Sequence, residues 1–348
     1  MDNLSKQMCL FMAIFVVLSG LPALAEQQVV DALGRSVTLT AYPRRVVSLA
    51  PSITEILASL GVESSVVGAD SFSLSSWYMD IGERLKSRGV VEVGGYWWST
   101  ISVEKILELN PDLILADRGA HRQLLEAFEA YNLTVVYLGS ARSINDVYND
   151  IYTVGLIFNK TGEAENLIRS IESTLQSGKE LLKGYEGVKV LIVIDFWQGI
   201  WVAGKATFID DLLARLGLVN AAVTIGWSVV GIEAITEWNP DIVIVACPYA
   251  SQEAVEQSGL PQLGKPLVLL NTTEVDVLMR PGPLLAYAPQ VIYHALVQGL
   301  ANRTTTTPRT PQQAPLVTSA PLELYVAAPL VALVSGVIGY YVGLRKKR

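Results

Sequence analysis

The sequence predicts an α/β protein made of two lobes, and three observations carry that prediction. Apolar, β-branched runs alternate with helical patterns along residues 26–299, and a helical region without strand signals divides the alternation in two. The two halves also share a repeated segment. The predicted architecture is therefore two Rossmann-like lobes with parallel sheets, joined by a single long α-helix, with a ligand groove between the lobes.

The N-terminus predicts a signal peptide over residues 1–25. Lys6 precedes an apolar run from Met8 to Leu18, and Ala23-Leu24-Ala25 has the small-x-small form of a cleavage site before Glu26. The alternative is an uncleaved anchor helix.

The C-terminus predicts a membrane anchor. Residues 325–344 are 20 residues without a charge, which at about 1.5 Å per residue span a hydrocarbon core of about 30 Å. The basic tail at residues 345–348 is expected in the cytoplasm, so the preceding domain lies outside the cell membrane. Residues 300–324 are rich in Thr and Pro and predict an extended stalk between the folded domain and the anchor.

Four Asn-x-Thr sequons are compatible with a glycosylated exported protein: Asn132, Asn159, Asn271 and Asn302.

Composition excludes several functions. The net charge is −7 and no basic stripe occurs, so nucleic acid is not an expected partner. Cys9 lies in the predicted signal, which leaves Cys247 alone and predicts no internal disulfide. His121 and His294 are the only histidines, too few for a naked transition-metal site. No hydrolase motif or catalytic triad occurs, and residues 199–206 lack the Ser or Thr of a phosphate-binding loop.

The predicted N-terminal lobe covers residues 26–142. Residues 44–50 are expected to form a strand, followed by a helix from Pro51 to Gly61 in which Ser52 and Glu55 make a capping box. Further buried strands are predicted at residues 65–69, 112–116 and 133–139.

The region 143–185 is the predicted helical linker, since its apolar residues keep helical spacing over more than six turns from Thr161 to Tyr185. The C-terminal lobe, residues 186–299, has predicted strands at 188–195, 241–247 and 266–271. The alternative is one continuous sheet on which these helices pack.

The internal repeat favours two lobes. Residues 98–117 and 227–246 align without a gap and share eight of 20 residues, including a Trp, a Glu six residues later and an Asn-Pro-Asp. Ser102 and Gly231 are expected to cap the helices that carry Glu104 and Glu233 in their first turns. These acids can simply offset the helix dipole. As a matched pair on one face they also suit docking onto a symmetric partner that presents arginines.

Aromatic residues concentrate in the loops that should border the groove. A groove walled by aromatics suits a large, flat, partly apolar ligand, although each Trp alone could equally be core. Arg280, between Met279 and two prolines, could reach an anionic or amide group; a solvated loop charge is the alternative. The candidate ligand-binding residues are Trp77, Tyr78, Tyr96, Trp97, Trp98, Trp197, Trp201, Trp227, Tyr249 and Arg280.

The sequence resembles the class III substrate-binding proteins of ABC importers, the group for ferric siderophores, haem and vitamin B12. The similarity covers the whole exported domain and includes "RRVVSLAPSITEILASLGV", "VGGYWWSTISVEKILELNPDLIL" and "RPGPLLAYAPQVIYHAL". It implies that Glu104 and Glu233 engage the permease dimer, which works with ATPase subunits. It also implies that Trp98, Trp227 and Arg280 line the groove.

The expected function is that of a monomeric, membrane-anchored extracellular receptor for a cobalt or iron chelate, with no catalysis and no cofactor. A corrinoid is favoured, with a ferric siderophore or haem as the alternative, because Asp117 stands where the bacterial B12 binder has a groove aromatic. An exported hydrolase or a structural surface protein are remote alternatives. The C-terminal anchor resembles archaeal members of the group.

Overall fold

The computed structural model describes residues 26–139 and 142–301, which form two α/β lobes. The N-lobe strands are β1 (Gln27–Val30), β2 (Ser36–Leu39), β3 (Val46–Ser48), β4 (Val66–Asp70), β5 (Val91–Gly94), β6 (Leu113–Asp117) and β7 (Val135–Leu138). The first two form an antiparallel hairpin, and the other five form a parallel sheet in the order β5-β4-β3-β6-β7. Its helices are α1 (Pro51–Ser59), α2 (Ile81–Ser87), α3 (Val103–Glu108), α4 (Arg118–His121) and α5 (Leu125–Ala130).

Two helices connect the lobes within the predicted linker region 143–185, where the sequence predicted a single long helix. They are α6 (Ile144–Ile157), capped by Ser143, and the 21-residue α7 (Thr161–Leu181). The longer helix has the predicted apolar stripe, with Ile171 and Leu175 buried.

The C-lobe has a six-stranded sheet that is mixed rather than purely parallel. Its strands are β8 (Lys189–Asp195), β9 (Ile200–Ala203), β10 (Val219–Asn220), β11 (Trp227–Val230), β12 (Ile242–Val245) and β13 (Leu267–Leu269). The main path is β11-β9-β8-β12-β13, and β9 is antiparallel to both neighbours. The helices are α8 (Phe208–Arg215), α9 (Ile232–Trp238), α10 (Gln252–Gln257), α11 (Thr272–Met279) and α12 (Ala288–Leu300). The wholly parallel sheet predicted for this lobe is thus wrong, since the tight Asp195–Ile200 connection reverses the chain.

Two separate sheets exclude the alternative of one continuous sheet. One hydrophobic cluster nevertheless runs through both lobes under α7, where Ile53 and Leu57 of the N-lobe join Leu284 and Leu285 of the C-lobe. The opposite faces of the two sheets have clusters of their own. A shared core beside the linker favours small movements of the lobes over a wide hinge.

The predicted capping box at Ser52 and Glu55 is wrong. Helix α1 begins at Pro51 after Ala50, with no side-chain cap, and Glu55 is fully buried. The caps at Ser102 and Gly231 are confirmed; the Ser102 hydroxyl accepts the Lys105 N–H.

Among residues 26–139 and 142–301, no helix has the length and apolar character needed to cross a membrane. The predicted signal peptide (1–25), nearly all of the stalk and the predicted membrane helix (325–344) lie outside the described residues.

Candidate functional site

The loops at the carboxyl ends of the parallel strands bring the two lobes together. Strand β4 ends at Asp70, and the loop that follows it carries Trp77 to the C-lobe, where its indole N–H donates to Asp276 Oδ2 at 3.0 Å. The Trp77 ring also meets Tyr287 edge to face at 6.5 Å. In α/β proteins this edge of the sheet is where ligands bind, so the space between the lobes here is the candidate groove.

The loop that carries Trp77 is anchored by a buried polar chain. The Asp70 carboxylate accepts the backbone N–H groups of Phe72 and Ser73, and also the Ser73 hydroxyl. Ser73 is in turn 2.7 Å from Thr54 Oγ1 in α1. Burial raises the pKa of Asp70 to about 6. The loop is therefore fixed to the N-lobe core before it reaches across to the C-lobe.

Tyr78 is placed differently from its neighbour. Its ring packs against the main core and its hydroxyl lies 3.0 Å from Ser59 Oγ in α1. Tyr78 is half-buried, so it supports the loop, whereas Trp77 is exposed at the edge.

A second aromatic cluster follows β5. Trp97 and Trp98 are exposed, Trp97 by 60%, and Tyr96 packs edge to face on Trp97 with ring centroids 5.2 Å apart. Gly94 has a φ of 140° and a Cβ there would lie 2.1 Å from the Thr100 carbonyl oxygen, so the Gly pair permits the tight turn that presents these rings. The exposed indoles are free to contact a ligand.

His121 supports this turn from beneath. Its Nδ1 accepts the Asp117 N–H at 3.0 Å, and its Nε2 lies 2.6 Å from the Tyr96 carbonyl oxygen, which fixes the proton on Nε2. Burial lowers the pKa of His121 to about 4, so the ring is neutral. Asp117 caps α4 through the Ala120 N–H, and burial raises its pKa to about 6. His121 is therefore a structural residue behind the aromatic cluster.

Arg280 lies between the lobes, but its guanidinium is already paired. It is 8% exposed, with Nη1 2.5 Å from Glu55 Oε1 and Nη2 2.8 Å from Asp276 Oδ1. Ser76 Oγ donates to the same Glu55 oxygen at 2.8 Å. The predicted groove arginine thus sits in a charge cluster that links α1 to α11.

The C-lobe contributes aromatics from two loops. Trp197 is exposed in the β8–β9 turn, and Trp201, half-buried in β9, donates its indole N–H to the Trp197 carbonyl at 2.8 Å. Tyr249 is exposed in the segment after β12. Strand β9 (Ile200–Ala203) occupies the middle of residues 199–206, so this segment is not a phosphate-binding loop in the structure.

Trp227 and Trp98 differ in their surroundings despite the repeat. Trp98 begins a 3-10 turn after β5, whereas Trp227 is the first residue of β11 and packs on Phe208 with ring centroids 6.0 Å apart. Alternate residues of this edge strand and its lead-in form an exposed apolar stripe, which the sequence analysis missed: Val223, Ile225 (81% exposed), Trp227 and Val229. The alternation of apolar with polar or small residues in "VTIGWSV" is the sequence signal that could have predicted this strand.

Glu104 and Glu233 occupy matching positions. Each is exposed in the first turn of its helix, after a cap at Ser102 or Gly231. Hydrogen bonds from its own backbone N–H and from Ser102 lower the pKa of Glu104. A Cβ on Gly231 would lie 2.6 Å from Glu233 Oε2, so glycine at that position leaves room for the carboxylate.

The interlobe residues Glu55, Ser76 and Asp276 were missed as site residues. The local sequence pattern placed Glu55 in the capping box at the start of a helix, and no sequence pattern indicates a contact between residues 225 positions apart.

A cavity of about 390 Å³ lies within the C-lobe, against α9 and α10. It is lined by Phe196, Gly199, Ile200, Val230, Gly231, Ile232, Ala254, Gln257 and Ser258. Its lining includes no residue of the N-lobe.

Comparison with known proteins agrees with this architecture. A Vitamin B12-binding protein of Pectobacterium carotovorum is 26% identical over 72% of this chain and 88% of its own length. An uncharacterised ABC transporter substrate-binding lipoprotein of Bacillus subtilis is 28% identical over 67% of this chain and 73% of its own. The crystal structure of an ABC-type Fe³⁺-hydroxamate transport system from Saccharomonospora viridis superposes with a TM-score of 0.63 at 21% identity, covering 78% of this chain and 99% of that one.

The family model described as periplasmic binding protein matches residues 46–262, which is more than half of the chain. The match includes α1, both aromatic loops of the N-lobe, α7 and the sheet of the C-lobe up to β12. The chain therefore belongs to the periplasmic binding protein family, whose members bind solutes and are not enzymes.

Proposed function

We propose that the chain is the extracellular substrate-binding protein of an ABC importer and that it captures a metal chelate in the groove between its lobes. A corrinoid is the favoured ligand. The observation that carries the proposal is that both lobes expose large aromatic side chains in their loops; these residues are Trp77, Trp97, Trp98, Trp197 and Tyr249. Exposed aromatic rings offer a large contact area for a broad, partly apolar ligand.

The B12-binding relative favours the corrinoid over other chelates. A ferric siderophore or haem is the second candidate, because the carboxyl end of β6 carries Asp117, a half-buried acid that caps α4, rather than an aromatic residue. Its carboxylate is committed to the Ala120 N–H, so that position offers no ring to stack on a macrocycle.

Titration of the full-length chain tests the ligand class. Cyanocobalamin, cobinamide, haem and a ferric hydroxamate would be added while tryptophan fluorescence and binding heat are recorded. Saturable binding of cyanocobalamin and cobinamide supports the corrinoid, and selective binding of haem or the hydroxamate supports the second candidate. Binding of none of the four would refute the proposed ligand class.

Delivery to a permease is assigned to Glu104 and Glu233. Both are exposed at the start of equivalent helices, one in each lobe, so a permease dimer with two equivalent arginine sites could engage both acids at once. The permease and its ATPase subunits are the proposed protein partners.

The proposed location is the outer face of the cell membrane, with residues 325–344 as a single-pass anchor. The uncharged 20-residue run and the basic residues after it support this proposal. Alkaline carbonate extraction of cells expressing the full-length chain or a version ending at residue 324 tests it. We expect only the full-length chain to stay with the membrane; release of both forms would overturn the anchor.

A further inference from the structure

A buried polar cluster joins the lobes at a place where neither lobe could satisfy it alone. Glu55 comes from α1 of the N-lobe, and Arg280 and Asp276 come from the end of α11 in the C-lobe. Glu55 is fully buried and Arg280 is 8% exposed. If the lobes separated, the pair at 2.5 Å would be broken and both charges would be exposed to water, so the cluster reports directly on lobe separation.

Asp276 extends this cluster to the rim of the groove. Its Oδ1 accepts from Arg280 at 2.8 Å, while its Oδ2 accepts the Trp77 indole N–H at 3.0 Å. The Trp77 ring also contacts Tyr287 of the C-lobe edge to face. One carboxylate thus ties an exposed groove aromatic of one lobe to the charge cluster of the other.

The cluster has more acid than base. The carboxyls of Glu55, Asp276 and Asp70 all lie within range of the single Arg280 charge. The second oxygen of Glu55, Oε2, is buried without a hydrogen-bond partner. Such a cluster contributes little net stability, because desolvation offsets most of the attraction, but it penalises any geometry that breaks the close contacts.

We propose that Glu55, Asp276 and Arg280 form an interlobe brace that fixes the separation of the lobes, and that Asp276 is the residue that positions Trp77 for ligand binding. The positioning half of the inference rests on the proposed function. The brace half concerns only the geometry of the chain and stands without any ligand.

Spin-label distances between the lobes test the brace. Labels would be placed on cysteines at the exposed positions Gln123 and Gln262, one in each lobe, in full-length chain in which Cys9 and Cys247 are replaced by alanine. We expect a single narrow distance distribution for this background.

Variants of the brace should broaden or shift that distribution. Arg280→Met leaves Glu55 able to take up a proton, and Asp276→Ala removes a carboxylate that is partly accessible, so the two variants disturb the fold in different ways. Arg35→Met is the matched control, because Arg35 pairs at 2.6 Å with the buried carboxylate of Asp31 wholly within the N-lobe. If both brace variants leave the distance distribution as narrow as Arg35→Met does and centred at the same distance, the brace is overturned.

A double-mutant cycle tests the positioning role. Trp77→Phe keeps an aromatic ring but removes the donor, and Asp276→Ala removes the acceptor. We expect Trp77→Phe to weaken cyanocobalamin binding by about twofold to tenfold, the loss of one hydrogen bond. Asp276→Ala also breaks the contact with Arg280, so it should weaken binding at least as much, and the double variant should be no weaker than Asp276→Ala alone. Asp276→Asn keeps one acceptor oxygen, which can face either the Trp77 indole N–H or Arg280 but not both, so it should recover part of the affinity.

The outcomes separate the two proposals. Additive losses in the cycle, or an Asp276→Asn variant as weak as Asp276→Ala, would overturn the positioning role while leaving the ligand class intact. If the unaltered chain binds no corrinoid, the proposed corrinoid function and the positioning role both fail, and the distance measurement still decides the brace.

Discussion

Arg280 Nη1 lies 2.5 Å from Glu55 Oε1, although the two residues are 225 positions apart and belong to different lobes. Arg280, Asp276 and Ser76 all face the Glu55 carboxyl, and Asp70 lies within range of the Arg280 charge. Even so, desolvation outweighs the attraction and raises the pKa of Glu55 from 4.5 to about 7.

This shift predicts a pH-dependent stability. The folded state holds the Glu55 proton more tightly than the unfolded state, so the group's contribution is full below about pH 4.5 and is lost as the pH rises through 7. Glu55→Gln removes that dependence. Denaturant unfolding of both proteins should show the Gln variant gaining up to about 3 kcal/mol relative to the unaltered chain between pH 4.5 and 7.5.

Glu63→Gln serves as the control, because Glu63 is a partly exposed acid of the N-lobe whose partner Arg84 is also accessible. Its free energy of unfolding should run parallel to that of the unaltered chain. Parallel curves for Glu55→Gln as well would show that Glu55 titrates normally in the fold.

Trp98→Ala should weaken ligand binding without unfolding the protein. The side chain is exposed on a turn, so its removal leaves no cavity, whereas a central aromatic contact is worth about 2 kcal/mol or more, which is about thirtyfold in Kd. Tyr131→Ala is the control, since Tyr131 is also exposed but follows α5 at the opposite edge of the sheet. Equal affinities for both variants and the unaltered chain, measured by titration with cyanocobalamin, would remove Trp98 from the site.

Glu104→Ala combined with Glu233→Ala should abolish chelate uptake by cells and leave the Kd of the purified protein unchanged. Both carboxylates are exposed, so neither substitution disturbs packing. The control pair is Glu108→Ala with Glu237→Ala, one helical turn further along the same helices and likewise exposed. Uptake lost equally in the control pair, or binding lost in the first pair, would contradict a specific docking role.

His121→Leu should destabilise the N-lobe by about 1–3 kcal/mol, because the Asp117 N–H and the Tyr96 carbonyl lose their partners. The neutral ring contributes its stability above about pH 6.5, and this contribution falls as the pH drops toward 4, the value to which burial lowers the pKa of His121. Urea unfolding at pH 7 and pH 5 measures both effects. The exposed His294→Leu is the control, and equal losses for the two variants would contradict the support of the Tyr96 turn.

Much of the architecture could be predicted because its signals are local. Buried strands such as β6 and β12 are short apolar runs, and Ser102 and Gly231 act within one turn of the helices they cap. The internal repeat predicted the two lobes, since two copies of one α/β unit in the sequence are expected to form two similar α/β units in the structure. The β9–β11 pairing was missed because turn-forming residues alone do not tell an antiparallel return from a loop.

The sequence by itself determined the class of fold, the two lobes, the family and the aromatic loops. The reason is that hydrophobic periodicity, helix caps and repeats depend on residues close together in the chain. Only the tertiary structure decided which side chains meet across the groove. The structure shows that Glu55 is a buried partner of Arg280 and not part of a helix cap. It also shows that Asp276 contacts both Arg280 and Trp77, which lie in different elements. Those contacts depend on how the two lobes pack against each other, and residues so far apart in the chain leave no periodic signal of their contact.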